Sequence, residues 1–163
     1  MSVVHAPETH APDLIEPLVG YRQWRLHDTT LCSPFRDYEW TRGVNTARCA
    51  LEPGHADPAP AHECACGIHA WYRPAPRLGY ATPDLVGGAV LLWGAVELHP
   101  TGMRAQYAAI VALVLPLAHT PKRRRVVDVA GWLEVDAVPA RRLVSTALRH
   151  GFPVAPSMAP SAR

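Results

Sequence analysis

Three of the four cysteines, with the histidines around them, are the residues of this chain whose types and spacing can do chemistry: Cys49, then Cys64 and Cys66 with one residue between, and His55, His62, His69 and His99 nearby. Positions two apart on an extended backbone place their side chains on one face, so the sulfurs of Cys64 and Cys66 can meet a single ion. A fold that returns Cys49 beside them supplies three soft ligands, and zinc takes four tetrahedral ligands of Cys or His type. One histidine would then close the shell. His99 ranks first, because it ends an apolar strand and is held there by the core. His62 is the backup, and like His55 it lies in a loop that the metal itself would have to order. Three thiolates largely neutralise the ion and lower its Lewis acidity, so the expected role of the zinc is structural.

The same thiols admit two other readings. Cys49 and Cys66 could be small buried hydrophobes, since free cysteine is often interior. Alternatively, Cys64 and Cys66 could form a strained disulfide that Cys49 resolves. Cys32 stands apart in the turn Leu31-Cys32-Ser33-Pro34 and reads as space-filling. Arg104 reads either as an anion-binding or carboxylate-orienting group near the metal or, more ordinarily, as half of a structural pair; Glu63 and Glu97 are the nearby acids.

The elements that must position these residues are legible in outline. Tyr21 to Leu26 alternates bulky and polar side chains, as a half-buried strand does, and His27-Asp28-Thr29-Thr30 supplies a turn into a short strand at Leu31 to Ser33. Trp40 to Gly43 reads as a turn leading to a strand from Asn45 to Leu51, with Cys49 near its end. The prolines and glycine from Glu52 to His62 make a loop, and Ile68 to Tyr72 a strand. Leu85 to Leu98, rich in Val and Leu and interrupted by Gly87, Gly88 and Gly94, reads as a long, kinked core strand ending at the turn His99-Pro100-Thr101-Gly102. From Met103 to Leu115 alanines favour helix while Tyr107, Ile110, Val111 and Val114 fit a buried strand, and periodicity does not decide between them. Ala140, Leu143, Val144, Ala147 and Leu148 fall at helical spacing, with Pro139 suited to the first turn and Gly151 to the stop.

The chain has 163 residues, 48% of them hydrophobic and 18% charged, which is enough for one folded domain with a real core. The expected division is a flexible arm over residues 1–17, one globular domain over 18–152 and a flexible tail over 153–163. A net charge of +2 argues for no polyanionic partner by itself. No apolar run approaches the roughly 20 residues of a membrane-spanning helix, and the N-terminal residues lack the pattern of a signal peptide, so the expected location is the cytoplasm. In that compartment thiols stay reduced, which favours metal or redox chemistry over structural disulfides. The run Lys122-Arg123-Arg124-Arg125 reads as a solvated basic turn between two strands, with polyanion contact as its functional alternative.

Taken together, Gly20-Tyr21-Arg22-Gln23-Trp24-Arg25, the box Cys64-Ala65-Cys66-Gly67-Ile68-His69-Ala70, and Leu92-Trp93-Gly94-Ala95-Val96 followed by His99, Gly102, Arg104 and Ala105 resemble a group of uncharacterised small bacterial proteins, mostly actinobacterial. These carry a C-x-C-G-I-[YH]-A box and a W-G-x-V-x-x-H-x-x-G-x-R-A box, and the resemblance spans roughly residues 18 to 115. It implies that His69, often tyrosine in that group, is not a ligand, and it favours Cys49, Cys64, Cys66 and His99 as the set. It brings no activity. At fold level the strand order is similar to PUA-like small barrels, an analogy that does not fix function.

The sequence therefore predicts an α+β or mainly β domain: a small bent sheet or barrel with a structural zinc site and a C-terminal helix. The function it favours is a non-enzymatic binding or adaptor module with a protein partner. Nucleic-acid binding through Lys122, Arg123, Arg124 and Arg125 is the first alternative and a zinc- or thiol-dependent enzyme the second. The signatures of zinc deaminases and HExxH hydrolases, phosphate-cradling loops and the G-x-S-x-G nucleophile elbow do not occur.

Overall fold

In the computed structural model, residues 16–51, 54–74, 84–117 and 119–161 are described, so all but the last two residues of the expected N-terminal arm lie outside them. Among the described residues, one sheet of nine strands carries the fold. Strand β1 (Leu18–His27) turns through Asp28, whose φ of 49° lies in the left-handed region that aspartate tolerates, into β2 (Thr30–Cys32). Short strands β3 (Glu39–Trp40), β4 (Asn45–Thr46) and β5 (Ile68–Trp71) follow, then two long ones, β6 (Leu85–Leu98) and β7 (Gly102–Val114). Helix α1 (Pro121–Leu133), β8 (Asp136–Val138), a single 3₁₀ turn (Ala140–Arg142) running into helix α2 (Leu143–Ala147), and β9 (Phe152–Pro153) complete the chain.

The sheet bends back on itself. β6 pairs along both β1 and β7, β5 pairs with β7 on its far edge, and β5 meets β1 again through Tyr21 and Trp71, closing a ring β1–β6–β7–β5. Arg22 reinforces the last seam: it donates from Nη1 to the His69 carbonyl at 3.1 Å, and its guanidinium carbon lies 4.5 Å from the Trp40 ring centre. Burial there pulls the Arg22 pKa down to about 10. The larger core fills with Trp24, Trp40, Val90, Leu92, Met103, Ile110 and Leu113, and with Val126, Val129, Ala130 and Leu133 of α1. A second, smaller cluster on the opposite face sets Val19, Tyr21, Ala89 and Ala112 against Leu143 and Ala147 of α2.

Strand–strand approach is tight enough to require glycine. A Cβ on Gly20 would sit 2.6 Å from Leu92 Cδ1 and 2.7 Å from Ala70 Cβ, contacts from two different strands of the ring. Gly20→Ala should therefore cost roughly 1–3 kcal/mol, as overpacking of a filled core does, measurable as a lower denaturation midpoint with an unchanged m-value. Gly94, at φ 78°, sits at one of the two register shifts between β6 and β7 and provides the expected kink.

Several elements go beyond or against the sequence reading; the strand expected from Asn45 to Leu51 is only Asn45–Thr46, so Cys49 lies beyond its end. The undecided stretch from Met103 is strand, because both its edges are used: β6 pairs one, and β5, β4 and β8 share the other. Such pairing overrides the helical propensity of its alanines. The basic run 122–125 is no turn between strands; it is the first turn of α1. Thr120 caps that helix, its Oγ1 accepting from the Arg123 amide at 3.3 Å, with Pro121 in the first turn. The buried spacing Val126, Val129, Ala130, Leu133 is the i, i+3, i+4, i+7 stripe of an amphipathic helix. The mixed, strand-dominated fold with a bent sheet and a small C-terminal helix is the one the sequence predicts.

Candidate metal centre

The centre is assembled by one edge of β7. On that edge Asn45 faces Ala108 and Thr46 faces Tyr107, and the Ala47 amide donates to the Gln106 carbonyl at 2.7 Å. The next residue of β7, Ala105, faces Ile68 of β5. β4 and β5 thus lie end to end, and residues 48–67 leave and rejoin the sheet at adjacent rungs. Cys49 stands at the exit of this excursion and Cys64 and Cys66 at its return, so pairing over a long sequence separation brings the thiols together. Buried Asn45 fixes the turn that leads into β4: its side chain accepts from the Thr41 amide at 2.9 Å and donates to the Thr41 and Gly43 carbonyls at 3.0 and 3.3 Å.

Within the excursion, Cys49, His55, Cys64 and Cys66 bring their ligand atoms within 4.8 Å of one another, close enough to hold a metal ion. Cys49 Sγ lies 3.6 Å from Cys64 Sγ, and Cys66 Sγ 3.3 Å from His55 Nε2. All four are partly buried, Cys66 the deepest. His55 Nδ1 meets the Asp57 carbonyl at 2.8 Å; as an N–H donor there, it leaves the Nε2 lone pair facing the sulfurs, the orienting contact typical of a ligating imidazole. That contact also raises the His55 pKa.

Backbone amides point at the sulfurs. The Cys66 N–H directed at Cys64, with the neighbouring His55 and Cys49, brings the Cys64 thiol down to about 7. The Ala61 N–H donates to Cys66 Sγ at 3.4 Å, yet burial dominates there and pushes the Cys66 thiol up. Such amide–sulfur contacts favour thiolates, the form that binds metal.

Arg104 locks the excursion onto the sheet. Its guanidinium is almost wholly buried and donates to the carbonyls of Cys64, of Cys66 at 3.0 Å and of Ala61 at 3.2 Å. It also pairs with Glu97 Oε2 at 2.6 Å. Of the two roles considered for Arg104, the structural pair is the one seen, with a loop-ordering function that its carbonyl partners, far away in sequence, did not reveal.

Cys49, Cys64 and Cys66 come together as the spacing predicts, but the imidazole that meets them is His55 and not His99. His99 points its Nε2 at Glu97 Oε1, 3.2 Å away, and is about half exposed. Its ranking rested on the premise that a loop histidine needs the metal to order its loop; here Arg104 and the buried Ala59 hold that loop to the sheet. His62, the backup, is exposed in a turn outside the cluster, and His69 turns to the Ala65 carbonyl at 2.9 Å. Cys32 lies away from the centre, 4.0 Å from Thr30 Oγ1.

The basic run is largely committed elsewhere. Lys122 donates to the Leu85 carbonyl at 2.6 Å, Arg123 to the Pro116 carbonyl at 2.6 Å, and Arg125 to the Asp28 and Leu26 carbonyls at 3.3 and 3.4 Å. Arg124 is exposed and makes no such bond among the described residues. No described helix is long and apolar enough to cross a membrane. No family model matches the sequence, and neither a curated protein nor a solved structure matches it.

Proposed function

We propose that this chain is a small zinc-stabilised binding or adaptor module, with zinc held by Cys49, His55, Cys64 and Cys66 as a structural staple across the neck of the 48–67 excursion. One observation carries the reading, the size of the donor cage. A tetrahedral zinc with sulfurs at about 2.3 Å and nitrogen at about 2.05 Å requires sulfur–sulfur edges of about 3.8 Å and sulfur–nitrogen edges of about 3.6 Å. The 3.6 Å between Cys49 and Cys64 and the 3.3 Å between Cys66 and His55 come within a few tenths of both, and all four donor atoms lie within 4.8 Å of one another. The Ala61 amide on Cys66 Sγ and the Asp57 carbonyl on His55 add the outer support that ligating groups need.

A set of three thiolates and one imidazole fills the coordination shell and carries no carboxylate base, which favours scaffold over catalyst. A binding role would draw on exposed apolar side chains such as Phe35 and Leu51. Polyanion contact through 122–125 draws little support, since three of its four side chains hold backbone carbonyls.

The test is metal content by ligand. Purified under reducing conditions, the chain should carry about one zinc. His55→Ala should lower zinc affinity by a hundredfold or more, leaving little metal after dialysis, whereas His99→Ala should keep the full complement. The reverse pattern would overturn the ligand set, and a chain that takes up no zinc would overturn the reading.

A further inference from the structure

We infer that Cys49 and Cys64 are an oxidation site for hydroperoxides, at which a disulfide between them takes over the closure of the 48–67 excursion and the metal is released. This rests on the zinc reading above and concerns the regulation of the same site.

The geometry selects the pair. Their sulfurs are 3.6 Å apart and not bonded, so a disulfide of about 2.05 Å needs only a small approach of each. Cys49 belongs to the exit of the excursion and Cys64 to its return, so their bond joins the same two ends that the ion joins. The competing Cys64–Cys66 bond is disfavoured because it would leave Cys49, and the β4 side of the neck, untethered. Cys66 is moreover the deepest of the three sulfurs.

The chemistry balances with a hydroperoxide as oxidant. The Cys64 thiolate attacks one peroxide oxygen; the O–O bond breaks, hydroxide or alkoxide leaves, and Cys64 becomes a sulfenic acid. The Cys49 thiolate attacks that sulfur, the S–S bond forms and the S–O bond breaks, and the departing hydroxide takes up a proton as water. Two thiolates are oxidised by two electrons in all and one peroxide is reduced. Two of the four donors have then lost their anionic charge, and His55 with Cys66 alone cannot retain the ion. The neck stays closed while His55 and Cys66 are freed.

The experiment uses the full chain with Cys32→Ser, loaded with zinc and treated with hydrogen peroxide. Released zinc is read with a chromogenic chelator, and cross-links are read by mass spectrometry. No Lys or Arg lies between Cys49 and Cys66, so trypsin keeps all three thiols on one peptide, and a second cut before Asp57 separates Cys49 from the other two. The expected result is release of about one zinc per chain together with a Cys49–Cys64 link. Adding Cys49→Ser should abolish that link. The oxidised, zinc-free chain should also melt close to the zinc form, whereas the reduced, chelated chain melts well below it. A Cys64–Cys66 link, an intermolecular link, or sulfinic acid with the ion retained would overturn this inference and leave the zinc reading standing. Failure of the reduced chain to bind zinc at the outset would remove both, and that measurement precedes the peroxide.

Discussion

Cys66→Ser should strip the protein of zinc and lower its stability by about 3 kcal/mol. The figure follows from what the ion closes. Cys49 and Cys64 are 15 residues apart, and fixing the ends of a loop of that length removes about 3 kcal/mol of chain entropy from the unfolded state. In a chain of this size that is roughly 6–12 °C in Tm. The sheet and its two helix-covered cores do not pass through the metal, so the variant should still fold, with a less protected excursion. The check is a pair of melts with and without EDTA: chelation should bring wild type down to the variant and leave the variant unmoved. A wild-type Tm indifferent to chelator would end the structural-zinc reading.

The second large effect is expected at Arg104. Arg104→Met keeps much of the volume and removes the charge, leaving Glu97 with His99 alone and taking the guanidinium donor from the carbonyls of Ala61, Cys64 and Cys66. Breaking a buried pair costs roughly 3–5 kcal/mol, and the lower end, about 3 kcal/mol, applies because the Glu97 side chain is 34% exposed and can be solvated. Zinc affinity should fall as well, by about 10–100-fold, as it does when groups behind the ligands are removed. Metal-free samples separate the two roles: Arg104→Met should still lower stability after chelation, whereas Cys66→Ser should not. A cycle with Glu97→Ala should return a coupling of about 1–3 kcal/mol, and a coupling near zero would assign the loss to the carbonyl contacts alone.

How much of this was legible depends on range along the chain. The β1–β2 hairpin, the kinked β6 and the short helix after Pro139 were readable because turn residues, glycines and apolar spacing act over a few residues. Helix α1 was readable too, from Thr120-Pro121 and the stripe from Val126 to Leu133, but its four basic residues masked the signal. β7 was not, since its alanines suit helix and strand alike and only its two occupied edges choose.

By itself the sequence determined that the chain has enough apolar residues for a core, and that Cys49, Cys64 and Cys66 are the residues able to offer soft-metal ligands. A C-x-C spacing and thiol softness are properties of neighbours and of atoms. Only the tertiary structure decided that His55 lies with the three cysteines, that His99 meets Glu97, and that Lys122, Arg123 and Arg125 hold backbone. Each of those outcomes turns on where β7 sets the ends of β4 and β5 side by side, or on which carbonyls a long cation reaches. Such distances are set by strand register between segments far apart in the chain, and local spacing does not encode them.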